Sequence, residues 1–312
     1  MAKVTAATLR PFTTAVPATD RRVWLFRRIV AGSLALFGPA ERDTGIELVD
    51  VATPGGTRVR GEWVRPPGEH RESAVVLYLH GSAYTVCSPR THRGLTTRLA
   101  VRAGVPVFAC GYRLAPGHRF PAAAEDVRAA FDWLTGQGFP PERIVLAGDS
   151  AGGHLAVDLV LELLRRGATP PAAMVLFSPL IDLSLGFARE RETRRRDPMI
   201  SADRARRLVA LYTRDASPAH PRLALDVTSA RRFPPTLIQA GEREMLTADA
   251  EHLADGIRAA GGRCELDVWP DQMHVFQALP VLVPEAGRAL AEAAAFVDAE
   301  LDTIPAELEV AS

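Results

Sequence analysis

From residue 46 onward the chain alternates short apolar, β-branched runs with longer stretches whose apolar positions recur every three or four residues. The first two runs, IELVDVA (46–52) and RVRGEWV (58–64), flank TPGG and predict a hairpin, because Pro-Gly-Gly supplies the turn. Then come AVVLYLH (74–80), VPVFACG (105–111), RIVLAG (143–148), AAMVLFS (172–178), PTLIQAG (235–241) and CELDVWP (264–270). Most are continuous apolar runs, the pattern of strands covered on both faces. Helical spacing fills the intervals 91–104, 121–138, 151–167, 246–262 and 282–301. The first of these ends on Gly104, a residue suited to a C-terminal cap, and the second opens on Pro121 with acids in its first turn. Strands alternating with helices after a hairpin predict an α/β fold: an open, mostly parallel, doubly wound sheet with an antiparallel pair at its start.

Two stretches break this rhythm. VWLFRRIVAGSLALFG (23–38) is apolar but interrupted by Arg27 and Arg28, and the run after them falls well short of the ~20 residues a membrane span needs. It predicts an amphipathic helix packed on the body, with no stable membrane insertion and no signal-peptide cleavage pattern. Residues 179–233 are too long for an ordinary crossover and hold one helical piece, SADRARRLVALYTRD (201–215). Within them ARERETRRRDP (188–198) mixes five arginines with three acids and reads as a solvated loop. Together, residues 1–45 and 183–232 predict a helical cap over a core of residues 46–182 and 233–312.

Composition narrows the function. The 312 residues suffice for a large core, and 47% hydrophobic with 24% charged residues describes an ordinary globular protein. Thirty-seven basic against 37 acidic residues leave no net charge, so a nucleic-acid partner is not expected. Three scattered cysteines without a Cys-x-x-Cys pair argue against a disulfide framework or zinc site, and point to a reducing, cytoplasmic setting. No ligand set for a metal or organic cofactor is visible, and none is expected. The final strand, CELDVWP, is an open edge unless covered, which leaves room for a homodimer.

The chemistry concentrates at GDSAGG (148–153), between a strand run and a helix run. A serine hydroxyl is a poor nucleophile at neutral pH, so it needs a base within hydrogen-bond reach and a third group to orient that base. Gly148-Asp149-Ser150-Ala151-Gly152 fits a strand–turn–helix so tight that side chains at its glycines would collide with backbone. Such a turn projects Ser150 and aims the amide of Ala151 into the site. The base is expected at His274, in VWPDQMHVF (268–276) after the last strand. Its orienting acid is expected after the preceding strand, in GEREMLTADA, where Glu242, Glu244 and Asp249 all satisfy the chain order Ser, acid, His. Spacing favours Glu244; Asp182, in SPLIDLS, competes with it.

Together YLHGSAYTVCSPRTHRGL, YRLAPGHRFPAAAEDV, GDSAGG, FPPTLIQAGEREML and VWPDQMHVF resemble the hormone-sensitive-lipase-like carboxylesterases of the α/β-hydrolase fold, over about residues 74–298. The resemblance implies an oxyanion hole made by the amides of Gly81, Ser82 and Ala151, with His80 bracing the loop rather than acting as base. It implies a small apolar ester, of short or medium acyl chain, hydrolysed through an acyl-enzyme. Departures from the family pattern are Ser82 and Ala83 for two glycines, Gly117 and Arg119 for Glu and Pro, His154 for Asn, and Glu244 for Asp. A backbone donor survives at Ser82 provided φ stays negative. Cys87, beside this loop, reads as a buried structural thiol. Lactone or amide hydrolysis and a silent small-molecule-binding body are the alternatives; the latter lacks a working base, whereas His274 is present here.

Overall fold

The computed structural model describes residues 20–53 and 55–303, so the first part of the expected cap, residues 1–19, lies outside the described residues. An eight-stranded sheet forms the body, in the order β1 (Gly45–Ala52), β2 (Arg58–Arg65), β4 (Val107–Cys110), β3 (Val75–Leu79), β5 (Ile144–Asp149), β6 (Ala173–Phe177), β7 (Thr236–Gly241) and β8 (Cys264–Trp269). Strand β2 runs antiparallel to both its neighbours, and the other pairs are parallel. The expected fold class is the one observed. Strands β3 to β7 are buried along their whole length, which explains their unbroken apolar sequences, while β1 is exposed almost throughout.

Eight α-helices accompany the sheet among the described residues: α1 (Asp20–Phe37), α2 (Arg93–Ala103), α3 (Ala122–Gly136), α4 (Ala151–Arg165), α5 (Gly186–Arg194), α6 (Ala202–Thr213), α7 (Thr247–Ala259) and α8 (Glu285–Asp302). Leu95 and Leu99 of α2 pack with Leu290 and Val297 of α8 in one core cluster. Val127 and Phe131 of α3 join Leu155 and Leu159 of α4 in another. Helix α2 stops at Gly104, whose φ of +59° is the left-handed cap expected there.

Two regions need comment. Helix α1 buries Val23 but leaves Trp24 (61%) and Leu36 (67%) exposed, and among the described residues no helix is long and apolar enough to cross a membrane. The Arg-rich run 188–198 is not a solvated loop: most of it lies in α5. The Asp182 carboxylate accepts the amides of Gly186 and Phe187 (2.7 and 3.3 Å), capping the helix, and Glu190 pairs with Arg194 one turn on at 3.0 Å. The dense mixed charge of the run suggested solvent; opposite signs four residues apart, as at Glu190 and Arg194, are also compatible with a helix.

Candidate active site

Ser150 sits between β5 and α4 with φ +52° and ψ −119°, a conformation that costs a non-glycine residue about 1–3 kcal/mol. The turn is over-determined. The Ser150 amide donates to Phe177 O at 3.0 Å, and a Cβ on Gly152 would land on the backbone of Leu79. Ala151 is the first residue of α4, where amides have no intrahelical acceptor.

His274 lies in the loop after β8, half-buried. Its Nδ1 is 2.5 Å from Oε2 of Glu244, a carboxylate only 1% exposed, whose Oε1 accepts the Gly241 amide at 2.6 Å. Burial alone would lower the His274 pKa. The Glu244 bond and charge, helped by Asp197 and Asp149, outweigh it and raise the pKa above the ordinary value. Ser178, at the end of β6, accepts the Val275 amide at 3.0 Å and so pins the histidine loop to the sheet.

The competing acids have other partners. Glu242 binds Arg195 at 2.6 Å and accepts the Asp271 amide at 3.0 Å. Asp249 accepts the amides of Ile181 and Asp182, both at 2.8 Å, and burial lifts its pKa to about 7. Asp182 caps α5, as described. Only Glu244 of the four meets the histidine in a recorded hydrogen bond.

The loop after β3 departs from expectation in two ways. The Gly81 amide, expected in the oxyanion hole, donates to Asp149 Oδ1 at 3.0 Å, so this N–H is already engaged beside the serine. Ser82 has φ +80°, followed by Ala83 at +53° and Tyr84 at +60°; the negative φ set as the condition for a donor at Ser82 is not met, and among the described residues the amide is left without a backbone acceptor in this left-handed conformation all the same. Three successive left-handed residues need external support. Thr85 and Val86 amides donate to Ser82 O, the Ala115 amide donates to Tyr84 O, and Arg27 of α1 donates to Thr85 O at 2.8 Å and Ala115 O at 3.1 Å. Among the described residues no acceptor is recorded for the amides of Ser82, Ala83 and Ala151.

Sequence reasoning missed the buried polar layer under the serine. Asp149 Oδ1 also accepts the Tyr78 hydroxyl at 2.7 Å and lies 3.3 Å from His92 Nε2. Despite burial, which alone would raise it, His92, Tyr78 and His80 hold the Asp149 pKa below the ordinary carboxylate value. His80 stacks on Tyr112 at 4.2 Å, and burial lowers its pKa to about 3; it is a neutral brace, as expected. Cys87 is buried as expected, its thiol 2.9 Å from Ser82 Oγ and pushed up to about 11 by burial. The one available signal for this layer was the polar Asp149 between a strand and the serine.

Comparison with known proteins places the chain in a family. A family model for the alpha/beta hydrolase fold matches residues 76–278. The chain is similar to an acetyl-hydrolase of Streptomyces hygroscopicus, 39% identical over 254 residues that span 81% of this chain and 83% of that one. It is similar to the carboxylesterase/phospholipase LipF of Mycobacterium tuberculosis, 39% identical over 252 residues, 77% of this chain and 67% of the relative. Among solved structures, an esterase from the bacterial hormone-sensitive lipase (HSL) family superposes with a TM-score of 0.86 at 34% identity, covering 96% of this chain and 98% of that one.

Proposed function

The chain belongs to the α/β-hydrolase fold family, among the hormone-sensitive-lipase-like bacterial esterases that act on carboxylic ester bonds, and we propose that it hydrolyses small esters of short to medium acyl chain through Ser150, His274 and Glu244. The Glu244–His274 hydrogen bond at 2.5 Å, beside a strained serine elbow, carries this reading. His274 Nε2 takes the Ser150 proton as Oγ attacks the ester carbonyl. Glu244 holds Nδ1–H, which keeps Nε2 free to accept and stabilises the imidazolium. The amides of Ser82, Ala83 and Ala151 receive the oxyanion, each such donor being worth ~10²–10³ in turnover. The imidazolium then protonates the leaving alcohol, and water repeats the sequence on the acyl-enzyme.

Residues 20–45 and 183–232 form the cap in this reading, supported by the grip of Arg27 on Thr85 O and by the Arg222–Asp158 ion pair at 2.8 Å. Three unpaired, buried cysteines suit a cytoplasmic enzyme, and the open edge of β8 suits a homodimer. Initial rates on p-nitrophenyl esters from acetate to palmitate, for the native chain beside Ser150→Ala, test the assignment. Turnover on short chains that falls by about 10⁴ or more in the folded variant is expected. No turnover by the native, folded chain on any ester overturns it.

A further inference from the structure

The loop that carries Glu244 is gripped from the helical insertion at four points, one of them the Arg195–Glu242 pair. Arg191 of α5 donates from Nε to Glu244 O (3.0 Å) and from Nη2 to Glu242 O (2.8 Å). Asp197, between α5 and α6, accepts the Met245 amide on Oδ2 at 2.8 Å, while its Oδ1 accepts the amides of Met199 (2.7 Å) and Ile200 (3.1 Å). These contacts bracket Glu244 on both sides of its own peptide unit. Asp197 is 1% exposed, and a carboxylate is kept in such a place at considerable cost unless its charge is used. Burial raises its pKa, against which the charge of His274 and the amides of Met199, Met245 and Ile200 act.

We propose that Arg191 and Asp197 are positioning residues of the esterase site, by which the insertion sets the placement of Glu244 and, through Asp197, brings a further carboxylate to the loop that holds the acid. The proposal rests on Glu244 and His274 being the acid and base. Three carboxylates then act on the imidazole: Glu244 by a direct hydrogen bond from the loop after β7, and Asp197 of the insertion and Asp149 at the end of β5 through their charge. Arg191 adds geometry without negative charge, so the two residues separate the two contributions.

The test compares the native chain with R191Q, D197N and D197E on p-nitrophenyl acetate, as kcat and KM across pH 5–9, with folding followed by circular dichroism. Release of the loop is expected to lower kcat about tenfold in R191Q and D197N, KM staying within about twofold, since small misplacements of catalytic groups are costly. The acidic limb of kcat/KM is expected to move down by about 0.5 pH unit in D197N, where a negative charge acting on His274 is lost. It stays in place in R191Q and returns in D197E. Native kcat in R191Q, or native kcat and limb in a folded D197N, overturns the proposal, as does a KM that rises as far as kcat falls. If D197N does not fold, R191Q decides. A native chain without esterase activity overturns the functional reading itself, a distinct outcome.

Discussion

The turn at Ser150 is held by the backbone of the two neighbouring strands, β6 and β3, whereas the loop at Glu244 is held by side chains of the insertion. At the elbow the constraints are backbone against backbone: the Ser150 amide on Phe177 O, and Gly152 pressed against Leu79. At the acid loop they are long side chains reaching across the fold, Arg191 and Arg195 onto Glu242 and Glu244, and Asp197 onto Met245. Close-packed backbone has one arrangement and resists any change of volume. A loop tied by side chains can be misplaced without unfolding. The elbow is therefore expected to fail in stability and the acid loop in rate.

The largest effect expected is on rate, at the acid loop. In Glu244→Gln the amide oxygen keeps the Gly241 bond and the amide nitrogen then faces Nδ1 as a donor. That selects the tautomer protonated at Nε2, which cannot accept the serine proton. A loss of ~10³–10⁴ in kcat, about 4–5 kcal/mol in barrier, is expected with little change in melting temperature. The raised His274 pKa depends on Glu244 as its main favourable partner. Activity needs the neutral ring, so it is expected to rise with pH through the histidine pKa, and the residual activity of the variant should show its acidic limb at lower pH. Stopped or steady-state rates across pH 5–9 check both; native turnover in this variant would return Glu242 and Asp249 to consideration.

The elbow is expected to show the converse. Gly152→Ala places a methyl on Leu79 backbone, where no side chain can move aside. Overpacking of this kind costs about 3 kcal/mol, or roughly 6–12 °C in melting temperature for a domain of this size. Thermal unfolding by circular dichroism checks it, and a melting temperature within a degree or two of native would show that the elbow gives way more easily than its contacts imply.

The same difference explains what could be read in advance. Buried strands wrote themselves as AVVLYLH and AAMVLFS, and the elbow as GDSAGG, because burial on both faces demands an unbroken apolar run and a turn this tight demands glycines, whatever the neighbours are. His274 was visible from its place after the last strand. Contacts from the insertion were invisible: Arg191 and Asp197 stand some 50 residues before the loop they hold, in a run whose charge suggested solvent. The engagement of the Gly81 amide was hidden because its partner, Asp149, belongs to a different strand end, and a motif read one segment at a time does not show which amide a neighbouring carboxylate has taken. The positive φ at Ser82 was hidden for a related reason: a serine gives no sign of left-handed backbone when remote hydrogen bonds impose it.

The smallest effect concerns Asp249, which faces the acid loop from α7 and feels the negative charges of Asp182 and Glu244. Both its accepted hydrogen bonds fall on Oδ1, and Oδ2 is buried with no hydrogen-bond partner in the described structure. Burial raises its pKa to about 7, so the folded chain binds this proton more tightly than the unfolded one. A group raised in this way contributes stability that is fully present below the unfolded carboxylate pKa of about 4 and is lost as pH climbs through 7. Asparagine keeps an acceptor where Oδ1 stands and removes the charge, so Asp249→Asn escapes that loss. The variant is expected to match the native chain near pH 4–5 and to exceed it by about 1 kcal/mol or more at pH 8, roughly 2–4 °C in melting temperature. Its kcat should stay within a few-fold of native, because Glu244 keeps its own bonds to His274 and Gly241. A gap that is flat with pH, or that favours the native chain at pH 8, would mean that Asp249 is ionised in the fold and that its charge, like that of Asp197, belongs to the apparatus holding the acid loop.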